Sequence, residues 1–224
     1  MVRFTYNVLL IFLKINNKNM AKVGITLNEV LRDFISQFAY TYEKYHGTKF
    51  DIEKNPITDF NLLNHELVDF EDEMELKKFL YMEAALEMFG HADQTHNNIM
   101  THFNQFLMEM KDEEEHEFEI VSREAAMSIP STFFFLSKTL CKISNVRFVT
   151  AYADKWDGLD VLITACPTAL EAKPAGKISV KVNTTYNKDV KADFEINDLF
   201  EFMNNPELRD QIFSTKTADF EELD

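Results

Sequence analysis

Residues 21–34 read AKVGITLNEVLRDF and pass from a short apolar run into an amphipathic segment. Residues 23–25 predict a buried strand, and the polar residues after them predict a tight turn into a helix. In an open α/β sheet, ligands bind beyond the carboxyl ends of the strands. Thr26 and Asn28 therefore stand where a first strand would present functional side chains.

Composition and charge limit the classes of protein to which the chain can belong. The 224 residues are 46% hydrophobic and include 21 Phe, which indicates a globular protein of one domain with a sizeable insertion or of one and a half domains. The formal net charge of −15 disfavours direct binding of nucleic acid or of an anionic membrane. Cys141 and Cys166 have no metal-type spacing, so we expect two buried thiols in a reducing, cytoplasmic compartment.

Residues 1–19 carry an apolar run, VLLIFL at 8–13, that superficially resembles a signal peptide. The run meets Lys14 instead of a small-residue cleavage site, and it is shorter than the about 20 residues of a membrane span. We therefore expect no secretory signal. Two interpretations stay open: an upstream extension of a domain that begins at Met20, or an additional strand or docking arm.

The next hundred residues predict helices. Residues 29–45 repeat apolar side chains every three or four positions, and Gly47 is a plausible end for that helix. Residues 48–116 lose the patterning of a sheet and predict a helical insertion, with helices at 71–89 and 93–111. An acidic run at its end, 112–117, predicts a solvated link to the next strand.

Three histidines of the insertion do not predict a metal site. His91 and His96 are five residues apart, and His96 and His102 are six apart. Neither pair has the i, i+4 spacing that places two imidazoles on one helix face.

Strands and helices alternate again after residue 117. Apolar residues lead to Ser122, and Ser131 predicts the N-cap of a helix at 132–142. Strands are expected at 146–151 and 161–163. The period-two pattern of Ile178–Val182 predicts a half-buried edge strand.

The C-terminal part predicts one helix and a tail. Residues 193–204 have helical spacing of apolar side chains, with Asn197 as the expected cap. Residues 206–224 are acidic and are expected to be mobile or bound to a partner.

The pattern of residues 21–34 resembles the first motif of the haloacid dehalogenase-like (HAD-like) phosphohydrolases, and within them the nucleotidase-like group. That motif ends a strand in Asp-x-Asp-Gly-x-hydrophobic and continues x-Asp-Phe. In this resemblance Thr26 replaces the nucleophilic Asp, Asn28 the acid/base Asp and Glu29 the Gly. The positions that match are Val30, Leu31, Asp33 and Phe34.

The same resemblance extends to the other three motifs. Ser122 matches the hydroxyl that would donate to the substrate phosphoryl group. Lys155 is the best match for the third-motif lysine, and Lys173 is the second choice. Thr164 and Ala165 replace the two acids that would hold Mg²⁺.

The resemblance implies an α/β fold with a HAD-like Rossmannoid core, a mainly parallel sheet and a helical cap-like insertion. The implied core is residues 20–47 and 117–205, and the implied cap is 48–116. Residues 1–19 would be an N-terminal extension and 206–224 an acidic C-terminal tail.

Loss of all four acidic positions predicts a pseudoenzyme without cofactor or metal. We expect a structural or assembly component that contacts other protein subunits, as a homo-oligomer or larger assembly. Similar degenerate chains occur among tailed-phage proteins, so the resemblance also implies a virion ring or connector protein.

Two alternatives stay open. One is an active phosphatase or 5′-nucleotidase-like hydrolase that uses other acids, such as Asp33, Asp157 or Asp160. The other is a non-catalytic phosphate or nucleotide sensor, in which Ser122, Lys155 and a helix N-terminus hold an anion.

Overall fold

The computed structural model describes residues 20–113 and 116–221, and of residues 111–113 and 216–221 it describes only the backbone. The predicted N-terminal extension, residues 1–19, lies outside this part of the chain. So do the middle of the predicted acidic link and the last three residues. Within the described residues, no helix has both the length and the hydropathy needed to cross a membrane.

The described chain is built on a sheet of six parallel strands in the order β3-β2-β1-β4-β5-β6. The strands are β1 (Lys22–Ile25), β2 (Glu117–Arg123), β3 (Val146–Val149), β4 (Val161–Thr164), β5 (Ile178–Val182) and β6 (Phe194–Ile196). β1 lies between β2 and β4, with Ile25 opposite Ile120 and Ile163. The predicted α/β class and mainly parallel sheet are confirmed.

Seven α-helices are described around this sheet. They are α1 (Phe34–His46), α2 (Glu73–Lys78), α3 (Ile99–Glu113), α4 (Ser128–Lys138), α5 (Pro167–Glu171), α6 (Leu199–Asn204) and α7 (Pro206–Glu221). Two π-helical turns follow α2, at Phe79–Glu83 and Leu86–Gly90. Short 3-10 turns lie at Leu62–Asn64 and Ala153–Trp156. The helices predicted at 71–89 and 93–111 are therefore shorter and less regular than expected.

Helix α1 begins later than the residue pattern predicts. Glu29 has φ of 60°, which no α-helix accommodates, so the chain turns before the helix starts. Asp33 then caps α1, because its Oδ1 accepts from the backbone N of Ser36 at 3.0 Å. The predicted end is confirmed: Gly47 has φ of 72° and closes the helix.

The insertion packs on α1 through its own apolar cluster. Phe38 and Tyr42 on α1 are fully buried against Phe79, Met88 and Phe89 of the π-helical turns. The Tyr42 hydroxyl accepts from the backbone N of Asp69 at 2.7 Å, which ties an irregular stretch of the insertion to α1. The insertion is thus anchored next to the carboxyl end of β1.

The prediction of an edge strand at Ile178–Val182 is wrong. β5 is interior, all five of its residues are buried, and β6 forms the edge. The polar positions that suggested exposure are paired instead: Ser179 donates its backbone N–H to Asp193, and Lys181 donates Nζ to the carbonyl of Val190 at 2.8 Å.

Three further predictions are corrected in the C-terminal half. Residues 193–204 form β6 and then α6, and the cap is Asp198 rather than Asn197, with Asp198 Oδ1 accepting from the N of Glu201 at 3.0 Å. Ser131 lies inside α4, where its Oγ donates to the Met127 carbonyl at 2.7 Å. Of the segment predicted as a tail, residues Pro206–Glu221 form α7, and Ile212 is buried.

Candidate functional site

Three strands end at the same edge of the sheet and bring the predicted site residues together. β1, β2 and β4 lead to Thr26, Ser122 and Thr164, all of which are buried. A cavity of about 70 Å³ lies at this edge, and four of the predicted residues line it: Thr26, Asn28, Ser122 and Lys155.

Thr26 and Thr164 face each other across neighbouring strands. The Thr26 Oγ1 donates to the Thr164 Oγ1 at 3.0 Å, and the Thr164 Oγ1 also accepts from the backbone N of Cys166 at 3.1 Å. Two neutral hydroxyls therefore pair where the resemblance to phosphohydrolases implies two carboxylates. Ala165, at the second magnesium position, is fully buried and presents no polar side-chain atom.

Asn28 is held by Arg32, whose guanidinium is fully buried. Its Oδ1 accepts from the Arg32 Nε at 2.9 Å and from Nη2 at 2.6 Å. The Arg32 Nη1 donates to the carbonyl of Phe89 at 3.1 Å and to the hydroxyl of Thr132 at 2.7 Å. Asn28 is thus a fixed structural acceptor, and an amide has no titratable proton for acid/base catalysis.

The Glu124 carboxylate accepts a hydrogen bond from the Ser122 hydroxyl. The Glu124 Oε1 accepts from Arg32 Nη2 at 2.8 Å, from Ser122 Oγ at 2.9 Å and from Thr132 Oγ1 at 3.0 Å. A carboxylate of the protein itself therefore receives the hydrogen bond that the resemblance assigns to a phosphoryl group.

Lys155 is the lysine that reaches the cavity. It is only 5% exposed, it lies 5.5 Å from the Tyr152 ring centroid, and it makes no hydrogen bond or ion pair through Nζ among the described residues. Burial lowers the pKa of Lys155. Lys173, the second choice, instead pairs with Asp193 at 2.8 Å at the far side of β5.

Glu29 keeps a left-handed backbone where the resemblance places a glycine. Its φ of 60° is uncommon for a residue with a side chain, which explains why that position suits Gly. The Glu29 Oε1 accepts from the backbone N of Ile35 at 2.9 Å. Burial raises the pKa of Glu29 to about 7.

Aromatic side chains from the insertion and the core close the cavity. Phe60 and Tyr81 come from the insertion, and Tyr152 and Tyr186 from the core. Arg123 lies over the Tyr152 ring at 4.6 Å from its centroid, and burial raises the pKa of Tyr152 to about 12. A larger cavity of about 300 Å³, which shares these four aromatic residues and Arg123, adjoins the smaller one.

The residues at this edge do not fit a magnesium ion. Mg²⁺ requires hard oxygen ligands, usually with at least one carboxylate. None of the eleven residues lining the 70 Å³ cavity is acidic, and two of them, Arg123 and Lys155, are cations. In the described chain no group of three or more His, Cys, Asp or Glu is arranged to hold a metal, and this includes His91, His96 and His102.

Sequence reasoning missed the buried pair Arg32 and Glu124. A signal was present, because Arg32 interrupts an apolar run that enters a buried turn, and a cation in such a place requires an internal partner. The partner lies 92 residues away in sequence, so its identity depends on the tertiary fold.

Comparison with known proteins supports an assignment of the fold. No protein-family profile and no curated protein sequence matches the chain. Among solved structures, a haloacid dehalogenase-like family hydrolase from Xanthomonas campestris is similar, with 10% identity, a TM-score of 0.51, and coverage of 89% of this chain and 98% of that one. The Bacillus subtilis protein YfnB, solved with magnesium, has 12% identity and a TM-score of 0.49, over 83% of this chain and 99% of that one. With its parallel sheet and the order of its strands, the chain has the fold of the haloacid dehalogenase-like hydrolases.

Proposed function

We propose that this chain is a non-hydrolytic protein of HAD-like fold that acts through contacts with other protein chains. The observation that carries the proposal is the pairing of the Thr26 and Thr164 hydroxyls at 3.0 Å, at the two positions where the resemblance implies a nucleophile and a metal ligand. A hydroxyl needs a neighbouring base to become a nucleophile at neutral pH. Among the described residues the Thr26 hydroxyl is hydrogen-bonded to two groups, the Thr164 hydroxyl and the Ile163 carbonyl, and neither is a base of that kind.

Exposed apolar side chains support a role in protein contacts. Leu86, on the second π-helical turn, and Phe134, on α4, are 51% and 44% exposed. Leu86 and Phe134 converge over Gly90, because a Cβ built there would lie 2.9 Å and 3.1 Å from their Cδ1 atoms. Clustered exposed apolar residues favour a binding surface over isolated surface hydrophobes.

The non-hydrolytic part is tested with p-nitrophenyl phosphate and nucleoside monophosphates, with Mg²⁺ and Mn²⁺ at several pH values. We expect rates equal to those without protein. Metal-dependent turnover that is lost in Thr26→Ala would contradict the proposal and make Thr26 a nucleophile.

The protein-contact part is tested by size exclusion with light scattering. We expect a mass above the 26.2 kDa of one chain. The double variant Leu86→Gln/Phe134→Gln should shift the mass toward the monomer, whereas Met108→Gln, a control that is 58% exposed on α3, should not. A monomeric wild-type protein would count against self-assembly. The larger assembly that we propose for such contacts is a virion ring or connector.

Lys155 favours a second candidate, a non-catalytic sensor of phosphate-type anions. Its buried ammonium donates no hydrogen bond to a described residue and lines the cavity with Thr26. In this case inorganic phosphate raises the melting temperature of the wild-type protein but not of Lys155→Met. An equal response of both proteins would exclude the cavity as the binding site.

A further inference from the structure

Cys166 lines the same cavity as Lys155, and no role described above uses its thiol. Cys166 is 7% exposed and follows β4, directly before α5. Its backbone N–H donates to Thr164, which fixes the residue at the carboxyl edge of the sheet. The thiol is free, as is that of Cys141.

The position of Lys155 relative to Cys166 is fixed by the neighbouring tryptophan. Trp156 is buried, and its Nε1 donates to the Ala169 carbonyl on α5 at 2.7 Å. The turn that carries Lys155 is therefore attached to the helix that Cys166 precedes. Lys155 and Cys166 line one cavity of only about 70 Å³, which brings the amine and the thiol to the same small space.

We propose that Cys166 is a reactive thiol that small peroxides oxidise to the sulfenic acid, with Lys155 as the residue that takes up the thiol proton. A cysteine beside a lysine or another cation favours the thiolate, and the thiolate is the nucleophile. A buried amine whose hydrogen-bonding capacity is unused can accept that proton within the cavity.

The reaction balances with the peroxide as its only co-reactant. In the ionic form of the pair the thiol proton is held by Lys155, which is then the ammonium cation that lines the cavity, and the Cys166 thiolate attacks one peroxide oxygen. An S–O bond forms, the O–O bond breaks, and the leaving hydroxide recovers the proton from Lys155 as water. Sulfur loses two electrons and the peroxide gains them.

The cavity restricts which oxidant reaches the thiol. Its volume of about 70 Å³ has room for a few molecules the size of water, so hydrogen peroxide fits and a bulky peptide disulfide does not. The adjoining 300 Å³ cavity, which is lined by the same aromatic residues, provides the route of entry.

Cys141 is an internal control for this chemistry. It is half-buried, so its overall exposure exceeds that of Cys166. Burial raises the pKa of its thiol. The neighbouring Lys142 directs its Nζ to the Met108 Sδ at 3.5 Å. If exposure alone decided reactivity, Cys141 would react faster.

The test treats the full-length protein with hydrogen peroxide in the presence of dimedone and measures labelling of each cysteine by peptide mass spectrometry. We expect Cys166 to be labelled at least about tenfold faster than Cys141. Lys155→Met should lower the Cys166 rate to about that of Cys141, while Lys173→Met, a lysine outside the cavity, should leave it unchanged.

Two results would overturn the proposal. One is labelling of Cys166 no faster than that of Cys141 in the wild-type protein, a comparison that needs no variant. The other is an unchanged Cys166 rate in Lys155→Met that retains the wild-type circular dichroism spectrum. If Lys155→Met does not fold, the comparison of the two cysteines in the wild-type protein decides the matter.

Discussion

Arg32 and Glu124 form an ion pair of 2.8 Å in which neither side chain is exposed to solvent. The pair joins the turn after β1 to the chain after β2, so it crosses the edge at which the strands end. Each partner has further hydrogen bonds, although the Glu124 Oε2 has none in the described structure. Such a pair contributes to stability mainly because breaking it leaves a buried charge alone.

The first prediction concerns this pair. Arg32→Met should lower the free energy of unfolding by about 3–5 kcal/mol, since it leaves the Glu124 carboxylate buried without a cation. Glu124→Met should have a comparable effect. The double variant should cost clearly less than the sum, because both charges are then absent. Urea unfolding of the four proteins measures this coupling, and additive losses would show that the pair does not act as a unit.

The part of the fold that depends on local pattern could be predicted from sequence. The strand and turn at residues 21–28 and the strand leading to Ser122 have apolar runs that end in small polar residues, and parallel strands bring such ends to one edge. β5 and β6 could not be predicted in the same way. The buried polar side chains of Ser179 and Lys181 are paired with groups 9 to 14 residues away, and this pairing is visible only after folding.

The second prediction concerns the pH dependence of stability. The pKa of Glu29 is about 7 in the folded protein against an ordinary value of 4.5, so the folded state holds this proton more tightly than the unfolded state does. Below pH 4.5 the group is protonated in both states and has no effect. Between pH 4.5 and 7 the ionisation of Glu29 increasingly lowers the free energy of unfolding. Above pH 7 this loss reaches its full value of about 3 kcal/mol.

Glu29→Gln removes this titration and retains an oxygen that can accept from Ile35. We expect the variant to be more stable than the wild type at pH 8 and nearly equal to it at pH 4.5, as measured by urea unfolding at both pH values. Glu66→Gln, at an exposed glutamate, serves as the control and should show no such difference. A stability gain of Glu29→Gln that is the same at both pH values would contradict the explanation by ionisation.

The third prediction concerns metal. Mg²⁺ should not raise the melting temperature of the wild-type protein beyond the effect of NaCl at the same ionic strength, because the cavity has two cations and no carboxylate. The variant Thr26→Asp/Thr164→Asp should melt lower without metal, since two carboxylates are then close together, and Mg²⁺ should restore part of the loss. A specific Mg²⁺ effect on the wild-type protein would show that other ligands exist.

The residues that line the candidate site could be predicted from sequence, but their hydrogen-bond partners could not. Thr26, Ser122 and Lys155 line one cavity, as the strand order suggests. Two features depend on turns whose backbone geometry has no distinct sequence signal. One is the hydrogen bond from Ser122 to Glu124, and the other is the position of Lys155 and Cys166 around the same cavity. Lys155 lies in a single 3-10 turn, and its direction is set by a tryptophan that anchors on α5.

The fourth prediction concerns Gly24 in the middle of the sheet. A Cβ at this position would lie 2.2 Å from the Cδ1 of Leu159 and 3.1 Å from that of Leu162. Leu159 is 1% exposed, so its side chain must repack within the core to make room for the new Cβ. Gly24→Ala should therefore lower the free energy of unfolding by about 1–3 kcal/mol through overpacking, despite the higher strand propensity of alanine.

Leu159→Ala is the complementary variant, because it removes the side chain that a Cβ at position 24 would meet. Alone it should cost about 2–5 kcal/mol, because it leaves a cavity beside β1. In the Gly24→Ala background the new methyl group occupies part of that space and the clash is gone, so the second change should cost less there than in the wild type. Urea unfolding of both single variants and of the double variant measures the difference. Equal costs of Leu159→Ala in both backgrounds would mean that the sheet shifts to accept the Cβ, and that Gly24 is not required by the contact with Leu159.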